Sequence, residues 1–187
     1  MKTVALVALA VVALVPLPVM ADDDALARFK GGIGVHPVSN VSGTANTDGS
    51  FPNVTRNVVR GVNPAGQLWV ISDLRATVKV DGRIKVDGRG LLLAGGNGIG
   101  TNAGASVFAT LLCQDGVVNT IVTFTSHSTN SNPGVPLAAN GDFRIEDMLS
   151  PTPPNPCNNP VLLIRNTSTN AGQGWFAAGI PKLEDHD

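Results

Sequence analysis

The sequence predicts an all-β protein: an antiparallel β-sandwich of Greek-key, immunoglobulin-like or partly closed barrel form, with about nine strands. Three observations carry this. Apolar and polar residues alternate with period two through most of the chain. Asx-Gly and Asn-Pro pairs punctuate it at short intervals. The body has no apolar stripe of helical period. Composition agrees: of 187 residues 43% are hydrophobic and 14% charged, with 21 Gly and 13 Pro. Such a chain can bury a core and is no disordered polymer. Its formal charge of −1 argues against nucleic acid as a partner, which needs a basic excess.

Residues 1–21 read as a secretory signal. Lys2 supplies the positive start, Val4–Val15 is unbroken apolar chain, and Pro16 and Pro18 end it before Ala21 and Asp22-Asp23-Asp24. That run is too short to span a bilayer, and the body contains no longer one. The expectation is cleavage near Ala21 and export to the periplasm or the exterior. The mature chain, residues 22–187, would be a single domain with no transmembrane segment.

After the acids, Asp23–Lys30 is the best helix candidate, with acids at its start and Arg28 and Lys30 near its end. Strands follow at Ile33–Val38, Asn57–Val62, Leu68–Val80, Ile84–Leu93, Ala105–Cys113, Val117–Ser126, Phe143–Leu149, Val161–Asn166 and Gly174–Ala178. Turn signals stand at Asn63-Pro64, Asp81-Gly82, Asp87-Gly88, Asp115-Gly116, Asn132-Pro133-Gly134 and Asn140-Gly141. Trp69 and Ile71 fall on the opposite phase to Leu74 and Ala76, which implies a bulge near Ser72-Asp73.

The most informative stretch is Ala76–Arg89. Its even positions are Ala, Val, Val, Gly, Ile, Val and Gly; its odd positions are Thr and charged residues of both signs. A hairpin turning at Asp81-Gly82 would pair Val78 with Ile84 on the core face. The alternative is one long strand bent at Gly82 and Gly88.

Cys113 ends the apolar run Ser106–Cys113, and Cys157 lies among prolines in Ser150–Pro160. Two cysteines in an exported chain are read as one disulfide, Cys113–Cys157. The proline segment is a stiff surface connection tied down by that bond.

Ala94–Gly104 is rich in glycine, so Gly95, Gly96, Asn97, Gly98, Gly100 and Asn102 form a candidate ligand loop; the competing reading is a flexible crossing between sheets. Its spacing matches neither a dinucleotide nor a phosphate-loop fingerprint, and no cofactor is implied. A second candidate is a basic face. Arg56, Arg60, Arg75, Lys79, Arg83, Lys85 and Arg89 face only Asp73, Asp81 and Asp87 in that stretch. Arg75, Lys79, Arg83, Lys85 and Arg89 would form the anion-binding set, although a solvated face of mixed charge explains them as well. Trp69, Trp175 and Phe176 read as core, leaving few rings for stacking on bases or sugars.

No catalytic cluster stands out. His36 and His127 lack a second ligand at metal spacing, and Asn46–Ser50 lacks the further ligands of a calcium loop, so no metal site is assigned. A triad on His127 with Ser126 or Ser128 would need an Asp from elsewhere. Asn40, Asn53 and Asn166 open glycosylation sequons, relevant only in a host that uses them.

Six segments carry a family resemblance: NVVRGV (57–62), VDGRIKVDGRGLLL (80–93), SVFATLLC (106–113), PLAANGDFRI (136–145) and PCNNPVLLI (156–164) with WFAAG (175–179). In these the chain resembles a group of uncharacterised exported bacterial all-β proteins with one disulfide. The resemblance implies the fold and the Cys113–Cys157 pair and no activity. The signal segment, the alternating strands and the lack of a reactive cluster set the expected role: a secreted, non-enzymatic binding or surface module with an extracellular protein or polysaccharide partner. The alternatives are an extracellular hydrolase with a site near 94–104 or His127, and a binder of anionic glycan or lipid through the face 75–89.

Overall fold

The structure, a computed structural model, describes residues 24–118, 121–130, 132–170 and 172–182. The expected signal segment lies outside them. The described residues contain no helix and thirteen strands. These are β1 (Ala25–Gly34), β2 (Val38–Ser42), β3 (Asn53–Arg56), β4 (Trp69–Val70), β5 (Asp73–Lys79), β6 (Arg83–Arg89), β7 (Leu92–Leu93), β8 (Ser106–Val118), β9 (Ile121–Ser128), β10 (Val135–Pro136), β11 (Phe143–Met148), β12 (Asn158–Asn166) and β13 (Trp175–Pro181).

One antiparallel sheet dominates, in the order β10-β8-β12-β13-β1-β5-β6-β11, with β9 added along β8. It curls into a half-barrel whose ends approach each other. β10 touches β11, and Ser128 and Ser150 exchange backbone hydrogen bonds of 3.0 and 2.9 Å. The two-stranded pairs β2-β3 and β4-β7 lie beside it. The all-β expectation holds, in its partly closed barrel form.

The hairpin at Asp81-Gly82 forms, and Val78 pairs with Ile84. Gly82 adopts φ +88° and its N–H donates to Lys79 O at 2.9 Å, a backbone only glycine takes without strain. Leu74, Ala76, Val78, Ile84 and Val86 are buried, while Arg75, Arg83, Lys85 and Arg89 point outward. Gly88 continues β6 rather than bending it; an added Cβ would sit 2.1 Å from the Phe143 ring of β11.

Several expectations change. Asp23–Lys30 is not a helix: from Ala25 it is strand β1, paired with β5 on one side and β13 on the other. Its buried Ala27 and Phe29 alternate with outward Arg28 and Lys30, and this pairing on both edges outweighs the helix-like charge order. Leu68–Val80 breaks at the expected phase change, so Trp69–Val70 pairs with Leu92–Leu93 and only the rest joins the main sheet. Ile33–Val38 straddles the end of β1 and the start of β2. Asp115-Gly116 makes no turn; β8 passes it with a bulge and runs on to Val118.

Asn57–Val62 is not a strand either. It begins a strap, residues 57–65, closed locally by the Val59–Val62 bridge. The strap is tied to the sheet by Trp175 N–H to Asn63 O (3.0 Å), Ala65 N–H to Trp175 O (3.0 Å) and Trp175 Nε1–H to Asn57 O (3.1 Å). Every residue from Val107 to Cys113 is buried, so β8 is covered on both faces. That explains its continuous apolar sequence.

Cys113 and Cys157 are bonded, with Cα atoms 5.0 Å apart. The bond pins the proline segment across one end of the barrel. There Pro153 is buried, and the spaces around Gly82 are bordered by Leu149 O, Thr152 and Pro153.

Candidate functional site

The glycine-rich segment is a tightly wound loop. Ile99 N–H donates to Gly96 O, Thr101 N–H and Oγ1–H to Gly98 O, and Gly100 N–H to Leu93 O. Asn102 is a latch: its Nδ2 donates to Leu137 O and Ala138 O at 2.9 Å each, and its Oδ1 accepts from Gly104 N–H at 3.0 Å. Gly98 fits against Leu93, where a Cβ would meet Cδ1 at 2.9 Å. The six candidate loop residues therefore separate. Gly95 and Gly96 face a cleft; Gly98 and Asn102 hold the loop together; Asn97 and Gly100 line neither of the clefts described next.

Two clefts meet at this end of the barrel, one on each side of Gly66 and Gln67. The first, about 460 Å3, lies between Gly95-Gly96 and His36-Pro37-Val38. The second, about 420 Å3, is formed by Gly104, Ser106, Asn166, Thr167, Ser168 and Gln67 over Trp69 and Phe176. Trp69 and Phe176 are stacked, with ring centroids 4.0 Å apart and planes inclined by 20°. Both rings are nearly buried, in keeping with the core reading. Asn166 is fixed in the rim, its Oδ1 accepting from Ser168 N–H at 2.9 Å. The lining of this second cleft has amide and hydroxyl groups and no charged side chain. It is in the size range of small-ligand sites. Apart from the sequon that opens at Asn166, no local pattern points to Gln67 or to Asn166–Ser168, because β4, β8, β12 and β13 converge there only through long-range pairing.

The basic face is on one side of the sheet, but its charges are compensated unevenly. Near the hairpin tip, Lys79 lies 2.9 Å from Asp24, and Arg83 lies 2.7 Å from Asp81 and 3.8 Å from Asp24. Lys85 faces Glu146 at 3.6 Å and Arg75 faces Asp73 at 3.3 Å. The Arg83 backbone and side chain donate to Asp81, and those bonds hold its carboxyl below the usual range. Hydrogen bonds from Arg144 lower Glu146 in the same way. Exposed pairs of this kind contribute little each.

His127 is buried at 3% exposure, facing the same way as its cross-strand partner Leu111. Its Nδ1 donates to Pro151 O at 2.8 Å and its Nε2 has no partner among the described residues. Ser126 and Ser128 alternate to the opposite face of β9, where Ser128 Oγ meets Thr110 Oγ1 at 2.9 Å. The residues required for a triad are thus not brought together. Asn46–Ser50 is a turn closed on Asp48, whose Oδ1 accepts from Ser50 N–H (2.9 Å) and Oγ–H (2.7 Å). Among the described residues no group of three or more His, Cys, Asp or Glu is placed to hold a metal, and no helix is long and apolar enough to cross a membrane.

The chain matches no known family model, no curated protein and no solved structure.

Proposed function

We propose that this chain is an exported, non-enzymatic binding domain that takes an uncharged, hydroxyl-rich ligand, of the neutral saccharide class, in the cleft over Trp69 and Phe176. Export is supported by the apolar run Val4–Val15 and by the Cys113–Cys157 bond. The observation that carries the binding reading is the lining itself. Gln67, Ser106, Asn166, Thr167 and Ser168 offer donors and acceptors without charge, above an aromatic floor. Hydroxyl-rich ligands are recognised by such groups, and an ionic ligand finds no counter-charge there. The half-barrel, strap and disulfide hold these loops on a rigid frame, so little ordering accompanies binding.

The test is tryptophan fluorescence of the purified domain titrated with a panel of neutral oligosaccharides. A saturable change that persists at high salt is expected. Gln67→Ala and Ser168→Ala should each weaken binding about 3- to 10-fold, the loss of one hydrogen bond. A panel that gives no saturable change overturns the reading.

A further inference from the structure

The basic charge on the outer face of the sheet is distributed differently from its order in the sequence. The cationic set Arg75–Arg89 splits in two on the outer face of the sheet. Its tip half, Lys79 and Arg83, is neutralised by Asp24 and Asp81. Arg75 and Lys85 join basic residues from distant parts of the chain, while Arg89 lies outside this group. Strand β1 pairs Arg28 with Thr77 and Lys30 with Arg75, β6 pairs Lys85 with Thr77, and β13 places Lys182 beside Arg28, to whose carbonyl its N–H donates at 2.8 Å. The result is a groove of about 470 Å3 that holds Arg28, Lys30, Arg75, Lys85 and Lys182 with one acid, Asp87.

The groove runs across the strands. Arg28 and Thr77 are half-buried and belong to its floor, while Lys30, Arg75, Lys85 and Lys182 are exposed along it. Lys30 and Lys182 make no ion pair among the described residues. The partners of Arg75 and Lys85 are exposed carboxylates, and such pairs yield at little cost to a ligand anion. Adjacent strands are about 4.8 Å apart, so Lys182, Arg28 and Lys85 form a row of cations across four strands with the Thr77 hydroxyl within it.

We propose that this groove binds a linear acidic polysaccharide, its carboxylates or sulfates following the row from Lys182 to Lys85. The exposed cations Lys30, Arg75, Lys85 and Lys182 border a narrow groove rather than a broad patch, which suits a thin chain better than a membrane surface. The groove also lacks an exposed aromatic ring of the kind that anchors a protein at a bilayer or stacks on nucleobases. Asp87 inside the groove disfavours a densely charged strand and suits spaced anions. The site is separate from the neutral cleft over Trp69, so either stands or falls alone.

The experiment is affinity electrophoresis of the purified domain through gels containing polygalacturonate, with dextran gels and anionic phospholipid vesicles as the other arms. Retardation by polygalacturonate that weakens with added salt is expected. Lys30→Gln/Lys182→Gln should weaken it about tenfold or more, and Asp87→Asn should strengthen it. Arg83→Gln/Arg89→Gln removes the same charge from exposed sites outside the groove and should change it less than about threefold. All these positions are on the surface, so circular dichroism should show unchanged folding. No retardation, equal loss in both double variants, or binding to vesicles without binding to polygalacturonate would each overturn the proposal.

Discussion

The Arg60 guanidinium lies 4.2 Å above the centroid of the Phe124 ring while its Nη1 donates to Leu112 O at 2.8 Å. One side chain of the strap thus grips both β8 and β9, on the face that would otherwise expose their apolar residues. Burial lowers the Arg60 pKa, yet the group stays charged. A hydrogen bond from a charged donor contributes about 1.5–3 kcal/mol and a cation–π contact about 0.5–1. Arg60→Ala should therefore destabilise the domain by roughly 2–4 kcal/mol in urea denaturation, and Arg60→Lys by less. An Arg60→Ala change within about 0.5 kcal/mol of wild type would show that the strap holds without this grip.

The Cys113–Cys157 bond closes a segment with a sequence separation of 44 residues. In the chain-entropy account such a closure stabilises by about 4 kcal/mol, and measured losses on removing native disulfides run about 2–5. Cys113→Ala/Cys157→Ala should lower the urea midpoint accordingly. Both cysteines are buried, so the native protein should resist alkylation and mild reductant until it is partly unfolded. Thiols that titrate in native, unreduced protein would contradict the pairing.

Gly88 and Phe143 are direct cross-strand partners, and the ring fills the volume a side chain would need. Gly88→Ala should destabilise by about 1–3 kcal/mol through overpacking. Gly116, where an added methyl group would meet nothing within 4 Å, is the comparison site: Gly116→Ala should be close to neutral. Phe143→Leu in the Gly88→Ala background should recover part of the loss, which a purely backbone effect would not allow.

Gly88 also marks the boundary of what the sequence made legible. The alternation from Ala76 to Arg89 is a local signal, and it specified the faces of β5 and β6 and the Val78–Ile84 register. That Gly88 leaves room for a ring 55 residues later is a property of strand order, which no local pattern encodes. The same reason hides the neutral cleft and the cationic groove: Gln67 and Asn166, or Lys30 and Lys182, become neighbours only once the sheet is assembled. Asp23–Lys30 misled in the other direction. Its acids and bases copy the order that favours a helix, but from Ala25 onward pairing on both edges decided its state.

The carboxyls of Asp81 and Glu146 are both lowered in the native hairpin region, which gives their pairs a testable acid response. Asp81 accepts the Arg83 N–H at 3.0 Å and Nε–H at 2.7 Å, and Glu146 accepts from Arg144; both are held below their ordinary values chiefly by these bonds. A carboxyl depressed in the native state binds fewer protons there than in the unfolded chain. Its contribution is therefore complete above the ordinary carboxylate range and is lost as the pH falls through the native value. Stability should decline on acidification from about pH 5 downward. Asp81→Asn/Glu146→Gln should be less stable at neutral pH and lose less on acidification, so the two thermal-midpoint curves converge at low pH. Both carboxylates are exposed, so added salt should narrow the gap between the curves at neutral pH. Curves that remain parallel down to about pH 2 would assign the acid response to other carboxylates.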